Sequence, residues 1–221
     1  MENRAWSKDT FHIVVASDSN LLDFVHPCID SIKKHKYDPT VYDLGGLGFG
    51  VPFRGATTSE KPLHKFPQKP RVILDKLKTI DSGHCLAWID ADCIMIDQIH
   101  DIQKYEFDIA VTFRKNHMNT GVVFVRHTPE AIRFLEEWIK VADEVGGDQN
   151  GINRILKLTR GSCVGMEYNY FGAKVRPLDA RIWNNFFFKK SQEGAKVLHY
   201  KSKFRYRFPF YKKEGNDADI K

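Results

Sequence analysis

Cysteine is scarce: four residues in a chain of 221, with Cys28, Cys85, Cys93 and Cys163 far apart and no CxxC pair among them. This argues against a disulfide framework or a zinc ribbon and predicts buried, reduced thiols in a cytoplasmic protein. Long apolar runs are missing too. The run from Cys85 to Ile89 ends after about five residues, against the roughly 18 that a bilayer-crossing helix needs, so no membrane span is expected. Behind the charges of Met1 to Thr10 there is no apolar stretch, and no secretory signal is predicted. No repeat, linker or low-complexity segment divides the chain, and the composition shifts only at Glu214-Gly215-Asn216-Asp217-Ala218-Asp219. A single domain over 1–213 with a frayed polar tail over 214–221 is the expected organisation.

What is present is ordinary globular material. Hydrophobic residues make up 42%, charged residues 28% and aromatics 13%, which excludes a disordered or collagen-like chain. Thirty-four Lys and Arg against 28 Asp and Glu leave a net charge of +6, favouring an anionic partner: nucleic acid, a phosphate ester or anionic lipid.

Residues 11–16 form a β-branched run, followed by Ser17-Asp18-Ser19-Asn20 and then Leu21, Val25, Cys28 and Ile32 at helical spacing. A second strand over 40–44 ends in Gly45-Gly46-Leu47-Gly48, and a basic, proline-interrupted stretch leads to a helix over 71–80. Short strands are predicted over 84–89, 107–113 and 121–126. Thr128 and Pro129 cap a helix carried by Ile132, Leu135, Ile139 and Ala142 up to Gly146-Gly147, and a shorter helix covers 148–158. Weaker strand patterns lie at 164–168 and 196–200. Strands alternating with helices, with near-continuous apolar strands, predict an α/β fold: an open, mostly parallel sheet with helices on both faces. Ligands of such sheets bind beyond the carboxyl ends of the strands.

At one such end stands Trp88-Ile89-Asp90-Ala91-Asp92. In extended backbone the two carboxylates point to the same side. Placed together they repel unless a cation compensates, and hard oxygen ligands suit Mg²⁺ or Mn²⁺. The same spacing recurs at Asp217-Ala218-Asp219, in the polar tail with no buried strand before it. Context therefore selects Asp90 and Asp92.

The order Val14-Val15-Ala16-Ser17-Asp18, Trp88-Ile89-Asp90-Ala91-Asp92, Asn119-Thr120-Gly121-Val122, Asp148-Gln149 and Val197-Leu198-His199-Tyr200 resembles nucleotide-sugar-dependent glycosyltransferases of the Rossmann-like GT-A fold, over nearly the whole chain. It is most similar to the retaining, glycogenin-like and galactosyltransferase-like branch. The resemblance implies a metal-dependent enzyme that moves a hexose from a nucleotide-sugar, UDP-sugar first, to an acceptor hydroxyl on a glycan, protein or lipid-linked molecule. It implies Mn²⁺ (or Mg²⁺) on Asp90, Asp92 and His199, with Asp90 and Ala91 also near the ribose. Ala16, Ser17 and Asp18 would meet the nucleoside, and Asn119, Thr120 and Gly121 the sugar. Asp148 and Gln149 would bond donor-sugar or acceptor hydroxyls, with Asp148 the base if the reaction inverts.

Each position also has a plainer reading. His199 can be a core-edge histidine bonded to a carbonyl, Asn119-Thr120-Gly121 a turn into a strand, and Asp148 an N-cap. Lys69, Arg71 and Lys76 surround a helix that would face the nucleotide, and Lys201 and Lys203 follow His199; Lys76 and Lys203 are taken as the diphosphate partners. Lys201-Ser202-Lys203-Phe204-Arg205-Tyr206 departs from the Gly, Lys, Pro, Trp that often follows the family's histidine, which weakens that assignment. Trp183-Asn184 resembles the family's aromatic-Asn step, and Phe186-Phe187-Phe188 beside it is expected to pack the core; both are left outside the site.

Three other readings stand beside this one. A haloacid-dehalogenase-type phosphatase also uses a strand ending in DxD, although its motif opens the chain and is followed by a small hydroxyl residue, where Cys93-Ile94 stands here. A nucleotidyltransferase would carry a glycine-rich signature and a lysine near the first strand. A non-catalytic basic module would use 201–213, with interleaved aromatic and basic residues, on nucleic acid or at an anionic membrane surface. No nucleic-acid motif appears, so nucleic acid is not expected, and peripheral membrane association through that stretch is the remaining role for it.

Overall fold

A computed structural model describes residues 7–18, 21–45, 48, 50–52, 68–114, 117–157, 164–186 and 192–201. At its centre is β1 (Phe11–Ser17), whose side chains alternate between two apolar layers. Ile13 and Val15 pack with Val25, Cys28 and Ile32, whereas Val14 and Ala16 pack with Val72, Ile73 and Leu77. A strand buried on both faces needs this unbroken apolar run, which is why β1 lacks the polar alternation of a surface strand.

The described residues form one large sheet in the order β3 (Val51–Pro52), β2 (Pro39–Asp43), β1, β4 (Cys85–Ile89), β7 (His117–Arg126), β6 (Ile109–Arg114), β9 (Ala173–Asp179) and β8 (Tyr168–Tyr170). A small second sheet pairs β5 (Cys93–Met95) with β10 (Val197–His199). Pairings are parallel from β3 to β4 and between β6 and β9. Strand β7 opposes both its neighbours and β8 opposes β9, so the sheet is mixed while most of its strands still run one way. The cause at β7 is local: Arg114 pairs with His117, and so short a connection permits only an antiparallel return.

Helix α1 (Leu22–Lys34) covers one face of the sheet. The other face carries α2 (Gln68–Leu77), α3 (Pro129–Val145) and α4 (Asp148–Leu156). The Thr128 hydroxyl caps α3 by accepting from Ala131 N–H, and Gly146 ends it with φ 73°, a left-handed value that favours glycine. Helices α3 and α4 touch at Gly151, where an added Cβ would sit 2.8 Å from Cα and Cβ of Ala142. A short helix, α5 (Ala180–Trp183), precedes β10, the last strand described.

Two expected elements are displaced. The helix expected over 71–80 begins at Gln68, which brings Gln68 and Lys69 into its first turn. The strand expected near 164–168 is replaced by β8 and β9, and β9 runs through Pro177. Proline is tolerated there because β8 pairs only with residues 173–175, so beyond Val175 that edge of β9 asks for no donor.

Candidate active site

The carboxyl ends of β1 and β4, the first turns of α2 and α4, and the end of β10 meet at one cleft of about 230 Å³. Ala16, Ser17, Asp18, Asp90, Ala91, Asp92, Asp148 and His199, all singled out in the sequence, line it together with Gln68, Lys69, Trp88 and Lys201. An adjoining cleft of about 300 Å³ adds Thr120, Gly147, Gln149 and Asn150 and shares Lys69, Asp90, Asp148 and Lys201 with the first.

Residues 90–93 are not extended. Cys93 N–H donates to Asp90 C=O at 3.0 Å, closing a turn. Strand β10 brings His199 to both carboxylates: its Nε2 lies 3.2 Å from Asp92 Oδ1 and 3.9 Å from Asp90 Oδ2. The imidazole is buried and fixed from behind. Its Nδ1 lies 2.9 Å from Asn184 Oδ1. The Asn184 amide nitrogen already donates to Thr112 Oγ1 at 2.9 Å and to Asn119 Oδ1 at 2.7 Å, leaving its oxygen as acceptor. The network thus assigns the proton to Nδ1 and turns the Nε2 lone pair toward the two aspartates.

The Asp92 carboxylate and the imidazole lone pair, with Asp90 farther from the same nitrogen, are groups that could hold a divalent cation. A cradle for the histidine supports this. A Cβ on Gly121 would overlap the His199 ring and lie 3.0 Å from Asn119 Oδ1, so only glycine fits. The Cys93 thiol also lies near, with a ligand atom of each of Asp92, Cys93 and His199 within 4.8 Å of the others. Burial, and then the charges of Asp92 and Asp90, hold that thiol well above its ordinary value. A thiol is also a softer ligand than the carboxylates that Mn²⁺ and Mg²⁺ prefer.

Asn119, Thr120 and Gly121 lie within β7, not in a turn before it. The ladder between β6 and β7 shifts there: Val111 pairs with Val123, but Thr112 pairs with Asn119. Thr120 and Gly121 are bulged out of that register, while Val122 still pairs with Ile89 of β4. The bulge turns the Thr120 hydroxyl and carbonyl toward Lys69.

Lys69 is the electrostatic hub. Its Nζ lies 2.8 Å from Asp90 Oδ1 and 3.1 Å from Asp148 Oδ2, and donates to Thr120 C=O at 2.7 Å and to Thr120 Oγ1 at 3.1 Å. Burial pushes its pKa down, but the Asp148 and Asp90 carboxylates overcome this and raise it above the ordinary lysine value. Burial likewise pushes Asp148 up, and Lys69 with the Thr120 hydroxyl, donating at 2.8 Å, overcomes it and holds Asp148 below the usual carboxylate range.

Asp148 is the first residue of α4, and the N-cap is Gly147, which excludes the capping role. Helix α4 is pinned at this end. Trp138 Nε1 donates to Asp148 C=O at 2.7 Å, and the Asn153 amide bonds the Met118 backbone and Gln149 C=O. Gln149 Oε1 accepts from Lys201 Nζ at 3.0 Å.

Lys76 is not in either cleft. It lies in the last turn of α2, toward His12 at the opposite end of β1, an imidazole lowered by burial first and then by His84 and Lys76. The cation brought to the site is Lys69, one turn and more earlier. Lys203, the stretch 202–213 and the tail fall outside the described residues. Asn184 and Thr112, absent from the predicted set, position His199; the aromatic-Asn step was the signal for the first of them.

A mixed Rossmann-like sheet with an acidic, cation-bridged cleft beyond its strand ends defines a nucleotide-binding α/β enzyme of GT-A type. The model for nucleotide-diphospho-sugar transferases matches residues 90–205, about half of the chain, and the chain belongs to that family. It is a glycosyltransferase. Solved structures share the fold. A glycosyltransferase involved in glycosylation of the major capsid of PBCV-1 is 13% identical over 89% of this chain and 97% of its own, with a TM-score of 0.55. GlyE of Streptococcus pneumoniae TIGR4 is 13% identical over 87% of this chain and 54% of its own, with a TM-score of 0.57. The galactosyltransferase LgtC, solved with donor and acceptor sugar analogs, is 14% identical over 87% of each chain at a TM-score of 0.50. No curated protein matches the sequence. Among the described residues no helix is long and apolar enough to cross a membrane.

Proposed function

We propose that this chain transfers a hexose from a UDP-sugar to an acceptor hydroxyl on a glycan, protein or lipid-linked molecule, with Mn²⁺ or Mg²⁺ and with retention at the anomeric carbon. The observation that carries the reading is the convergence of Asp90, Asp92 and the His199 Nε2 lone pair in a cleft that continues to Ala16, Ser17 and Asp18. These three side chains would hold the ion, which supplies Lewis acidity against the charge that develops on a departing diphosphate. Ala16 to Asp18 meet the nucleoside. Lys201, at the boundary of the two clefts, adds a cation for the leaving group, so no proton has to be delivered to it.

Retention is supported by the state of Asp148. A general base needs a pKa near the working pH and an open lone pair. Asp148 is held ionised and is occupied by Lys69 and Thr120. It suits binding of sugar hydroxyls, with Gln149 beside it, and leaves deprotonation of the acceptor to the leaving diphosphate.

UDP with Mn²⁺ is expected to raise the melting temperature, by the equivalent of about 2.7 kcal/mol at a hundredfold excess over Kd. Asp92→Ala should abolish both that shift and transfer. Proton NMR of the first product should show the donor's anomeric configuration; the opposite anomer would remove retention and return Asp148 to the role of base.

A further inference from the structure

Gln68, at the start of α2, is only 7% exposed and lines the cleft between Lys69 and the end of β1, near Ala16, Leu44 and Trp88. Neither its Nε2 nor its Oε1 has a hydrogen-bond partner. A buried amide with both atoms unsatisfied costs the desolvation of a donor and an acceptor, and native interiors keep few such groups without a reason. The neighbouring polar groups are engaged elsewhere. Lys69 is spent on Asp90, Asp148 and Thr120, and the Trp88 indole N–H donates to Asp90 Oδ1 at 2.7 Å. Gln68 lines the cleft that holds Ala16, Ser17 and Asp18 and is not among the residues lining the one that holds Thr120 and Gln149.

We infer that Gln68 is a specificity-determining contact for the nucleoside half of the donor, its amide closing on a ligand edge that offers one donor and one acceptor side by side. The inference rests on the reading of this cleft as the nucleotide site. A ribose diol and the imide edge of uracil share that chemistry, and a glutamine amide pairs with either through two hydrogen bonds. Gln68 orients the nucleotide and takes no part in bond making.

The test is Gln68→Leu, close in size and without the amide. Removing two unsatisfied buried atoms should raise the melting temperature of the unliganded protein by about 2–4 °C. Losing two hydrogen bonds should weaken UDP binding, measured calorimetrically with Mn²⁺, by about 5- to 100-fold. The two changes have opposite signs, and a merely structural glutamine would not give both. The penalty should disappear against 2′,3′-dideoxy-UDP if the diol is the partner, or against N3-methyl-UDP, which lacks the imide donor, if the imide is. Unchanged UDP affinity, a lowered melting temperature, or an equal penalty against all three nucleotides would overturn the inference while leaving the proposed activity intact. Wild-type protein that binds no UDP would instead sink the reading of the cleft, and Gln68 with it.

Discussion

Lys69 holds two carboxylates that would otherwise repel each other across the boundary of the two clefts. With its side chain 11% exposed and those of Asp90 and Asp148 at 24% and 29%, the cluster is partly desolvated. Truncating the single cation of such a group leaves uncompensated charge. Lys69→Met is therefore expected to lower stability by about 3–5 kcal/mol, read from urea midpoints at neutral pH. The pH dependence follows from the same pairing. Asp148 titrates below its unfolded value, so its contribution is complete above the ordinary carboxylate range and is lost as pH falls through the lowered native value. Lys69 titrates above its unfolded value, so its contribution is lost only as pH rises through the raised one. Asp148→Asn should flatten the acid limb of a stability-against-pH curve and leave the neutral plateau lower. At Gly121 the constraint is steric. Gly121→Ala should push the His199 ring off the aspartates and weaken Mn²⁺ binding, followed by electron paramagnetic resonance, by the roughly 10- to 100-fold typical of a disturbed supporting shell.

At the scale of elements, much of the site was legible because its residues sit where regular structure stops. Asp90 follows the last residue of a fully buried strand, and His199 closes another. Hydrophobic pattern finds such ends. What it missed has physical causes. Strand β9 was hidden by Pro177, acceptable because no strand pairs with its far edge there and only its carbonyl is used, accepting from Gly165 N–H. The antiparallel course of β7 depends on a short connection, and the bulge at Thr120 on three strands meeting in different registers, neither of which a periodicity records. The choice of Lys76 over Lys69 came from starting α2 too late: a helix that begins at Gln68 presents Lys69, not Lys76, to the strand ends. Packing of α4 on α3 has its own weak point. Gly151→Ala should force the helices apart and cost about 1–3 kcal/mol in thermal denaturation. Transfer should suffer as well, since Asp148 and Gln149 ride on the first turn of α4.

Across the whole molecule, net charge and site charge have different meanings. The surplus of six positive charges belongs to the sequence as a whole, whereas among the described residues the cleft is lined by Asp18, Asp90, Asp92 and Asp148 with Lys69 and Lys201 among them. A cleft of that balance admits a dianionic diphosphate only when further positive charge accompanies it. Chelation of divalent ions should therefore reduce UDP affinity itself, not merely turnover, and calorimetry with and without EDTA measures the difference.

The pairing of β5 with β10 has one more consequence. Asp90 and Asp92 are made before the midpoint of the chain, but the strand that delivers their third partner is the last one described, opposite Cys93. During synthesis Asp90 has Lys69 and the Trp88 indole at hand, but both aspartates wait for the imidazole until some hundred further residues have left the ribosome. A nascent chain can thus assemble much of its large sheet before the candidate ion site receives its histidine.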